Sequence, residues 1–214
     1  MAKIKNKKLI LVMLMTILMV FSSTVVAFAG SNGAYSAADR SSKSNLVVVG
    51  DSRIYGIYKD SGYYTSTSYS AVWGGHYGYG YNIISADREK KIKSIVVNTI
   101  KKKGSCRLVI EGTINDASSK PSALMAFAKR AHGWTAKYNG KTIYPKVYVT
   151  EALKAKNGKP SVTSYNKYLK NGASANKYTY INLVDPKNAD YADNLHFKAA
   201  FKKSMHKDYA SKAK

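Results

Sequence analysis

Short apolar runs recur along the chain from residue 46 onward and predict the strands of a sheet. Each run has the length of a strand and is rich in Val, Ile, Tyr and Thr, which fit a pleated, partly buried surface. The runs are Leu46–Val49, Tyr69–Trp73, Arg107–Glu111, Lys146–Thr150 and Tyr178–Leu183. A sheet of about five strands is therefore expected.

Helical patterns lie between most of these runs. Ala86–Lys103 repeats apolar residues at helical spacing with Lys around them, and Gly104 ends the pattern. Lys120–Tyr138 repeats it, although Gly133 weakens the prediction for the second half. Further helices are predicted from about Ser161 to Leu169 and over Phe197–Met205. Strands that alternate with helices predict an α/β fold, in which helices cover both faces of a parallel sheet.

The first 29 residues have the order of a secretory signal peptide. Four lysines come first, the apolar run Leu9–Phe21 follows, and the small residues of Ala27–Gly30 end the segment. The run is 13 residues long, which is shorter than the roughly 20 residues that span a bilayer. We predict cleavage after Ala29, no stable membrane span after cleavage, and a secreted, extracellular protein that associates with the cell wall. An uncleaved N-terminal anchor is the alternative.

Cleavage leaves 185 residues of the 214, enough for one compact domain with a single core. Residues 30–44 are small and polar without periodicity and are predicted to form a flexible linker. The domain is therefore expected at 45–214. Cys106 is the only cysteine of the chain, so we expect no intramolecular disulfide and a fold stabilised by its core alone.

The chain is strongly basic. Its formal net charge is +23, and removal of the four lysines of the signal leaves +19 on the mature chain. An anionic partner is therefore expected, and an exported protein meets anionic cell-wall polymer or membrane headgroups more often than nucleic acid. The lysines are scattered over several predicted helices, so a merely solvated basic surface is the alternative.

Polar residues or glycines follow each of the five predicted strands, and four of these five positions carry residues that hydrolytic chemistry uses. Ligands of a parallel sheet bind at the carboxyl ends of its strands, so these positions are the natural place for a site. Gly50-Asp51-Ser52 follow the first strand, Gly74-Gly75-His76 the second and Gly112–Asp116 the third. Glu151 follows the fourth strand, and the loop after the fifth ends in Asp193-Asn194-Leu195-His196.

These residues resemble the sequence blocks of the SGNH family, also called GDSL hydrolases. Gly50-Asp51-Ser52 match the first block, Gly112–Asp116 match the G-x-N-D block in part, and Asp193–His196 match the D-x-x-H block. The glycine of the second block is Gly74, Gly75 or Gly78. The match covers residues 46 to 210 by order and spacing. It implies a three-layer α/β/α flavodoxin-like fold and the activity of a serine esterase or deacylase.

The resemblance implies a catalytic triad of Ser52, His196 and Asp193. A serine hydroxyl is a poor nucleophile until an imidazole takes its proton, and the imidazole needs an acceptor that fixes its tautomer. The family meets the oxyanion with three donors, which here are the N–H of Ser52, the N–H of Gly75 and the side chain of Asn115. We expect neither a cofactor nor a metal.

Each candidate also has a structural interpretation. Asp51 and Ser52 can cap the helix after the first strand, Asp193 can cap the final helix, and Asn115 can form a turn. Their joint order at successive strand ends favours the catalytic interpretation, because capping alone does not predict it. Thr113 stands where the family block has its glycine, two residues before Asn, so the presentation of Asn115 stays open.

Two other classes of hydrolase are excluded. The nucleophile of an α/β-hydrolase lies in G-x-S-x-G, and Ile54 occupies the place of the second glycine. A zinc hydrolase uses closely spaced histidines, whereas the four of this chain are isolated in sequence: His76, His132, His196 and His206.

Two functions of different classes remain. The first is a secreted serine esterase or O-deacylase, with acetyl groups on cell-envelope carbohydrate as the expected substrate and a lipid or short-chain ester as the second choice. The 18 Tyr and 2 Trp suit sugar rings, although Tyr also fills strands and loops. The second function is binding of anionic cell-wall polymer by a catalytically weak or inactive protein of the same fold.

Overall fold

The computed structural model of the protein describes residues 35–60, 68–72, 80–81 and 84–214. The predicted signal peptide and the candidate glycines Gly74, Gly75 and Gly78 lie outside these residues. Within the described part, no helix is both long enough and apolar enough to cross a membrane.

The described residues form eight strands, six of which make one sheet. The strands are β1 (Tyr35–Ala38), β2 (Leu46–Gly50), β3 (Ser68–Val72), β4 (Arg107–Gly112), β5 (Ala136–Tyr138), β6 (Lys141–Ile143), β7 (Lys146–Ala152) and β8 (Thr179–Ile181). The sheet has the order β1-β3-β2-β4-β7-β8, and β5 pairs with β6 in a separate hairpin. All neighbours in the sheet are parallel except β1, which runs antiparallel to β3 at the edge.

Helices cover both faces of this sheet. They are α1 (Ser52–Asp60), α2 (Ala86–Lys103), α3 (Ser122–His132), α4 (Thr163–Gly172) and α5 (Ala199–Lys212). One buried cluster joins α2, α3 and α4 to the sheet, and a second joins α1 and α5 to the opposite face. The predicted α/β fold with a central parallel sheet flanked by helices is confirmed.

The alternation of side chains along the strands explains the two clusters. Val47 and Val49 of β2 belong to the cluster under α2, α3 and α4, whereas Leu46 and Val48 belong to the cluster under α1 and α5. Successive residues of a strand point to opposite faces, so a strand covered on both sides is apolar at every position. All five residues of β2 are buried for this reason.

The strand order reverses direction at β2. The chain passes from β2 to β3 on one side and then to β4 on the other side of β2. In such sheets a crevice opens outside the carboxyl ends of the strands at this switch point, because the two connections leave in opposite directions. Ser52 follows the carboxyl end of β2 directly, and Gly112 ends the neighbouring β4.

Two local predictions differ from the structure. The helix predicted over Lys120–Tyr138 ends at His132, and Ala136–Ile143 forms the β5–β6 hairpin instead. Asn139 and Gly140 make the two-residue turn, and both have the positive φ that such a turn needs. The predicted linker 30–44 contains Tyr35–Ala38, which forms β1 because it pairs with the exposed edge of β3.

Candidate active site

Ser52 is the first residue of α1, and Asp51 alone separates it from the end of β2. Asp51 caps this helix: its Oδ1 accepts a hydrogen bond from the N–H of Arg53 at 2.9 Å, and its carbonyl accepts the N–H of Tyr55 at 3.1 Å. Asp51 therefore does the capping that the sequence left open between Asp51 and Ser52. The side chain of Ser52 faces another partner, and its backbone lies at the positive end of a helix.

The structure brings Ser52, His196 and Asp193 together. Ser52 Oγ lies 3.2 Å from His196 Nε2, and His196 Nδ1 lies 2.8 Å from Asp193 Oδ2. The serine lies just beyond the end of β2, whereas the other two residues lie in the loop before α5, with His196 144 positions further along the chain than Ser52. This is the order of nucleophile, base and orienting acid that activates a serine hydroxyl.

Asp193 is held by the backbone of its own loop. Its Oδ1 accepts the N–H groups of Leu195 and His196, each at 2.6 Å. Partial desolvation raises the pKa of Asp193, but the N–H of His196, its ring and the N–H of Leu195 outweigh that effect and lower the pKa to about 2. The acid is therefore ionised at neutral pH and oriented towards Nδ1, even though 58% of its side chain is exposed.

Asn115 is hydrogen-bonded to Asp51, the residue that precedes Ser52. Its Nδ2 donates to Asp51 Oδ2 at 3.0 Å, and the hydroxyl of Thr113 donates to the same oxygen. Thr113 also accepts the N–H of Asn115 at 3.1 Å and has an extended backbone, with φ −94°. Thr113 therefore needs no glycine conformation here, and it fixes the turn that presents Asn115.

Gly112 explains why the glycine of this block is displaced by one residue. A Cβ at this position would lie 2.4 Å from the carbonyl oxygen of Thr150 and 2.7 Å from the N atom of Ala152. Both atoms belong to the backbone of β7, so a side chain has no room where β4 and β7 meet. The close approach of two strands, rather than a turn, requires glycine at this place.

Of the three predicted oxyanion donors, two can be placed. The N–H of Ser52 lies in the first turn of α1, and the amide of Asn115 lies beside Asp51. Gly75, and with it the choice among Gly74, Gly75 and Gly78, lies outside the described residues.

Glu111 is a buried acid in contact with Asp51 that the sequence analysis did not single out. Its side chain is 2% exposed, and its Oε2 accepts the N–H of Asp51 at 3.2 Å. Burial raises the pKa of Glu111 well above its usual value, and the nearby Asp51 carboxylate raises it further. A Glu at the end of the buried run of β4 was the available signal, because charged residues are almost never fully buried without a specific partner.

Arg53 is the second residue that the sequence analysis missed. It follows the nucleophile, is 3% exposed, and donates to three backbone carbonyls of two distant loops. A buried Arg is rare, but no local pattern identifies its partners, which lie 100 to 142 residues away.

The remaining candidates have structural roles. Glu151 accepts the N–H of Leu183 at 2.5 Å, His206 is buried against Tyr58, and His132 stacks on Tyr144. Among the residues that the structure describes, no group of His, Cys, Asp and Glu has the arrangement of a metal site. His76 lies outside the described residues.

Comparison with solved structures finds similar chains at low sequence identity. A protein provisionally described as a platelet activating factor from Streptococcus pneumonia has a TM-score of 0.51 and 13% identity, with 80% of this chain and 85% of that chain covered. An aryl esterase from M. smegmatis has a TM-score of 0.46 at 14% identity over 78% of this chain and 96% of that chain. A carbohydrate acetylesterase family member from Sinorhizobium meliloti has a TM-score of 0.41 at 11% identity over 76% and 94% of the two chains.

No family model and no curated protein matches the sequence. At 13% identity, the likeness to the Streptococcus protein shows a common three-layer α/β fold.

Proposed function

We propose that the protein is a serine esterase of the SGNH type that removes ester-linked acyl groups. One observation carries the proposal: Ser52 Oγ lies 3.2 Å from His196 Nε2, while His196 Nδ1 lies 2.8 Å from the ionised Asp193. Both distances are within hydrogen-bond reach, so the imidazole is placed to take the serine proton. Helix capping does not explain this arrangement, because Asp51 caps α1, while the N-cap of α5 is Lys198 rather than Asp193.

The reaction divides into two acyl transfers. Ser52 Oγ attacks the ester carbonyl while His196 Nε2 takes its proton, and Asp193 stabilises the imidazolium through Nδ1–H. The imidazolium then gives its proton to the leaving alcohol, which leaves an acyl-serine. Water attacks this ester with His196 as base again, and the products are the carboxylic acid and free Ser52.

The oxyanion of each tetrahedral intermediate forms beside the start of α1. The N–H of Ser52 and the Asn115 amide are the donors that we assign to it from the described residues, with Gly75 as the third. Preorganised donors of this kind act mainly on the transition state, because the negative charge develops only there. The positive end of α1 acts in the same direction.

An acetyl group on cell-envelope carbohydrate is the substrate that we infer. The inference rests on the predicted export of the chain and on its aromatic content, 18 Tyr and 2 Trp. The side chains of the triad are partly exposed, His196 by 43% and Asp193 by 58%, which suits an acyl group carried on a bulky polymer.

Hydrolysis of p-nitrophenyl acetate by the mature chain, beside Ser52→Ala, tests the proposal. We expect turnover by the wild type and a loss of nearly all of it in Ser52→Ala and in His196→Ala. Cys106 is buried, so Cys106→Ala is a control that removes the only thiol and is expected to keep full activity. Equal turnover by wild type and Ser52→Ala would refute the mechanism.

A second candidate function, contact with an anionic cell-wall polymer, is favoured by a basic cleft far from Ser52. The cleft measures about 650 Å³ and lies at the amino ends of β7 and β8, whereas the triad lies at the carboxyl ends of the strands. The lysines that line it are Lys146, Lys177, Lys212 and Lys214.

Two double variants of equal net charge test this second function. Lys146→Gln with Lys177→Gln removes charge from the cleft, and Lys90→Gln with Lys93→Gln removes exposed charge from α2. If the cleft binds a polyanion, the first pair lowers affinity for purified phosphodiester wall polymer and weakens its salt dependence more than the second. Equal effects would mean that only the total charge matters.

A further inference from the structure

The guanidinium of Arg53 lies where three segments of the site meet. Its Nη1 donates to the carbonyl of Leu153 at 2.6 Å, its Nη2 to that of Lys154 at 3.2 Å, and its Nε to that of Leu195 at 3.1 Å. Its Cζ lies 4.6 Å from the centre of the Phe197 ring. The fork of one side chain therefore holds the loop after β7 and the loop that carries the catalytic histidine.

These contacts bracket the two reacting side chains. Arg53 follows Ser52 in the sequence, while Leu195 and Phe197 are the two neighbours of His196. A shift of the loop relative to α1 changes the Ser52–His196 distance directly, and Arg53 opposes that shift from both sides of the histidine. The backbone N–H of Arg53 is itself fixed by Asp51 Oδ1 at 2.9 Å.

Other bonds give the histidine loop its shape but attach it elsewhere. Ala192 donates to the carbonyl of His196 at 2.8 Å, which closes the loop on itself. The carbonyl of Asn194 accepts the N–H of Lys156 at 2.9 Å, and the hydroxyl of Tyr191 donates to the carbonyl of Lys154 at 2.6 Å. These bonds join the loop to the segment after β7, and Arg53 joins both to the helix of the nucleophile.

We propose that Arg53 is a positioning residue that sets the Ser52–His196 distance by clamping the histidine loop to the first turn of α1. The proposal rests on the proposed esterase function. Arginine suits this task because its planar fork offers five donors in a fixed geometry, whereas the ammonium of lysine is a single point donor. A misplacement of about 1 Å in a reacting pair can cost roughly 100-fold in rate.

Arg53→Met is the main test, because Met keeps the unbranched apolar stem of the side chain and removes all of its donors. We expect kcat for p-nitrophenyl acetate to fall by about 10- to 100-fold while KM changes less than about twofold, because a small displacement slows the reaction without removing a substrate contact. Arg53→Lys keeps the positive charge but lacks the planar fork, so its kcat is expected to stay below that of the wild type. Guanidinium chloride at a low, non-denaturing concentration should restore part of kcat to Arg53→Ala, and sodium chloride at equal ionic strength should not.

Arg107→Met is the matched control. Arg107 also donates to two backbone carbonyls, those of Ala210 at 3.1 Å and Ala213 at 2.7 Å, and to Asn45 at 3.1 Å. It lies at the amino end of β4, whereas Ser52 lies at the opposite, carboxyl ends of the strands. We expect Arg107→Met to lower the melting temperature and to leave kcat within about twofold of the wild type, since it disturbs no loop of the site.

The outcomes separate the two proposals. Turnover by the wild type but not by Ser52→Ala, with an Arg53→Met whose kcat stays within twofold, would overturn the positioning role and leave the esterase in place. An equal loss in Arg53→Met and Arg107→Met would overturn it too, because general destabilisation would then explain both. If Arg53→Met does not fold, Arg53→Lys tests the proposal instead. Full activity of Arg53→Lys would refute the positioning role of the guanidinium fork. A wild type that neither turns over an ester nor labels at Ser52 with a fluorophosphonate refutes both proposals.

Discussion

Replacement of Asp193 by Asn should harm the enzyme more than replacement by Ala. Asp193 Oδ1 accepts two backbone N–H groups at 2.6 Å, and Oδ2 faces His196 Nδ1 at 2.8 Å. In Asn only the oxygen can accept, because the amide nitrogen carries two hydrogens. The oxygen therefore stays with the two N–H groups and the amide nitrogen turns towards the ring. Nδ1 must then accept, so the ring proton moves to Nε2, where it blocks uptake of the Ser52 proton.

The number of hydrogen bonds sets the size of the effect. The opposite amide orientation would lose two backbone bonds at about 1 kcal/mol each, so the blocking orientation is favoured by about 2 kcal/mol, or roughly 30-fold. Ala loses the same carboxylate but leaves the partly exposed His196 ring open to water and to both tautomers. We expect kcat to fall about 100-fold in Asp193→Ala and about 3,000-fold in Asp193→Asn, within the roughly 10,000-fold known for a wrong tautomer in a serine triad.

The assay is steady-state hydrolysis of p-nitrophenyl acetate at neutral pH, with Ser52→Ala as the background. Circular dichroism serves as the control for the fold, because both variants also remove or alter the bonds to Leu195 and His196. An Asp193→Asn variant that is as active as Asp193→Ala would show that the amide does not fix the tautomer. The reasoning about the two backbone bonds would then be wrong.

Three further predictions concern the surroundings of the triad. Asn115→Ala should lower kcat by about 100-fold or more with KM little changed, as for loss of an oxyanion donor; a fall of less than about threefold with a lower melting temperature would make Asn115 a turn residue only. Glu111→Gln should keep the fold and activity, because Gln resembles the protonated acid. The pKa of Glu111 is raised in the folded state, so the stability of the wild type relative to this variant, measured by urea unfolding, should decline as pH rises above 4.5. Burial lowers the pKa of His206 from 6.5 to about 4, so the free energy of unfolding should drop by about 2 kcal/mol between neutral pH and about pH 5. His206→Gln should not show this drop, and an identical pH profile in that variant would contradict the assignment.

The strands and the polar residues that follow them could be predicted because both depend on local pattern. A strand covered on both faces has a continuous apolar run, so Leu46–Val49 and Leu108–Ile110 stand out in the sequence, and the residues after each strand lie at the end of the sheet where ligands bind. Ser52 needed no tertiary information beyond this. The α2 helix ended as predicted because Gly104 has φ 69° and donates to Ile100 O.

The features that escaped prediction depend on partners far along the chain. Edge strand β1 is short and mixed in polarity, so only its pairing with β3 identifies it. The β5–β6 hairpin was masked by the helical pattern that precedes it, although Asn139-Gly140 carries the turn signal. Arg53 contacts backbone carbonyls rather than side chains, so no particular residue type marks its partners.

The two halves of the proposed triad are held by structures of different strength. Ser52 follows a strand whose residues are all buried, and its neighbours Asp51 and Glu111 are fixed to each other within the core. His196 and Asp193 lie instead in a partly exposed stretch between the buried Tyr191 and Phe197, and hydrogen bonds to backbone carbonyls attach this stretch to Arg53 and to the segment after β7. Local opening is governed by how few buried contacts a segment has, so the loop is the part that can lose its position while the sheet stays intact. A single buried guanidinium between the two halves is therefore well placed to decide whether the folded protein is also an active one.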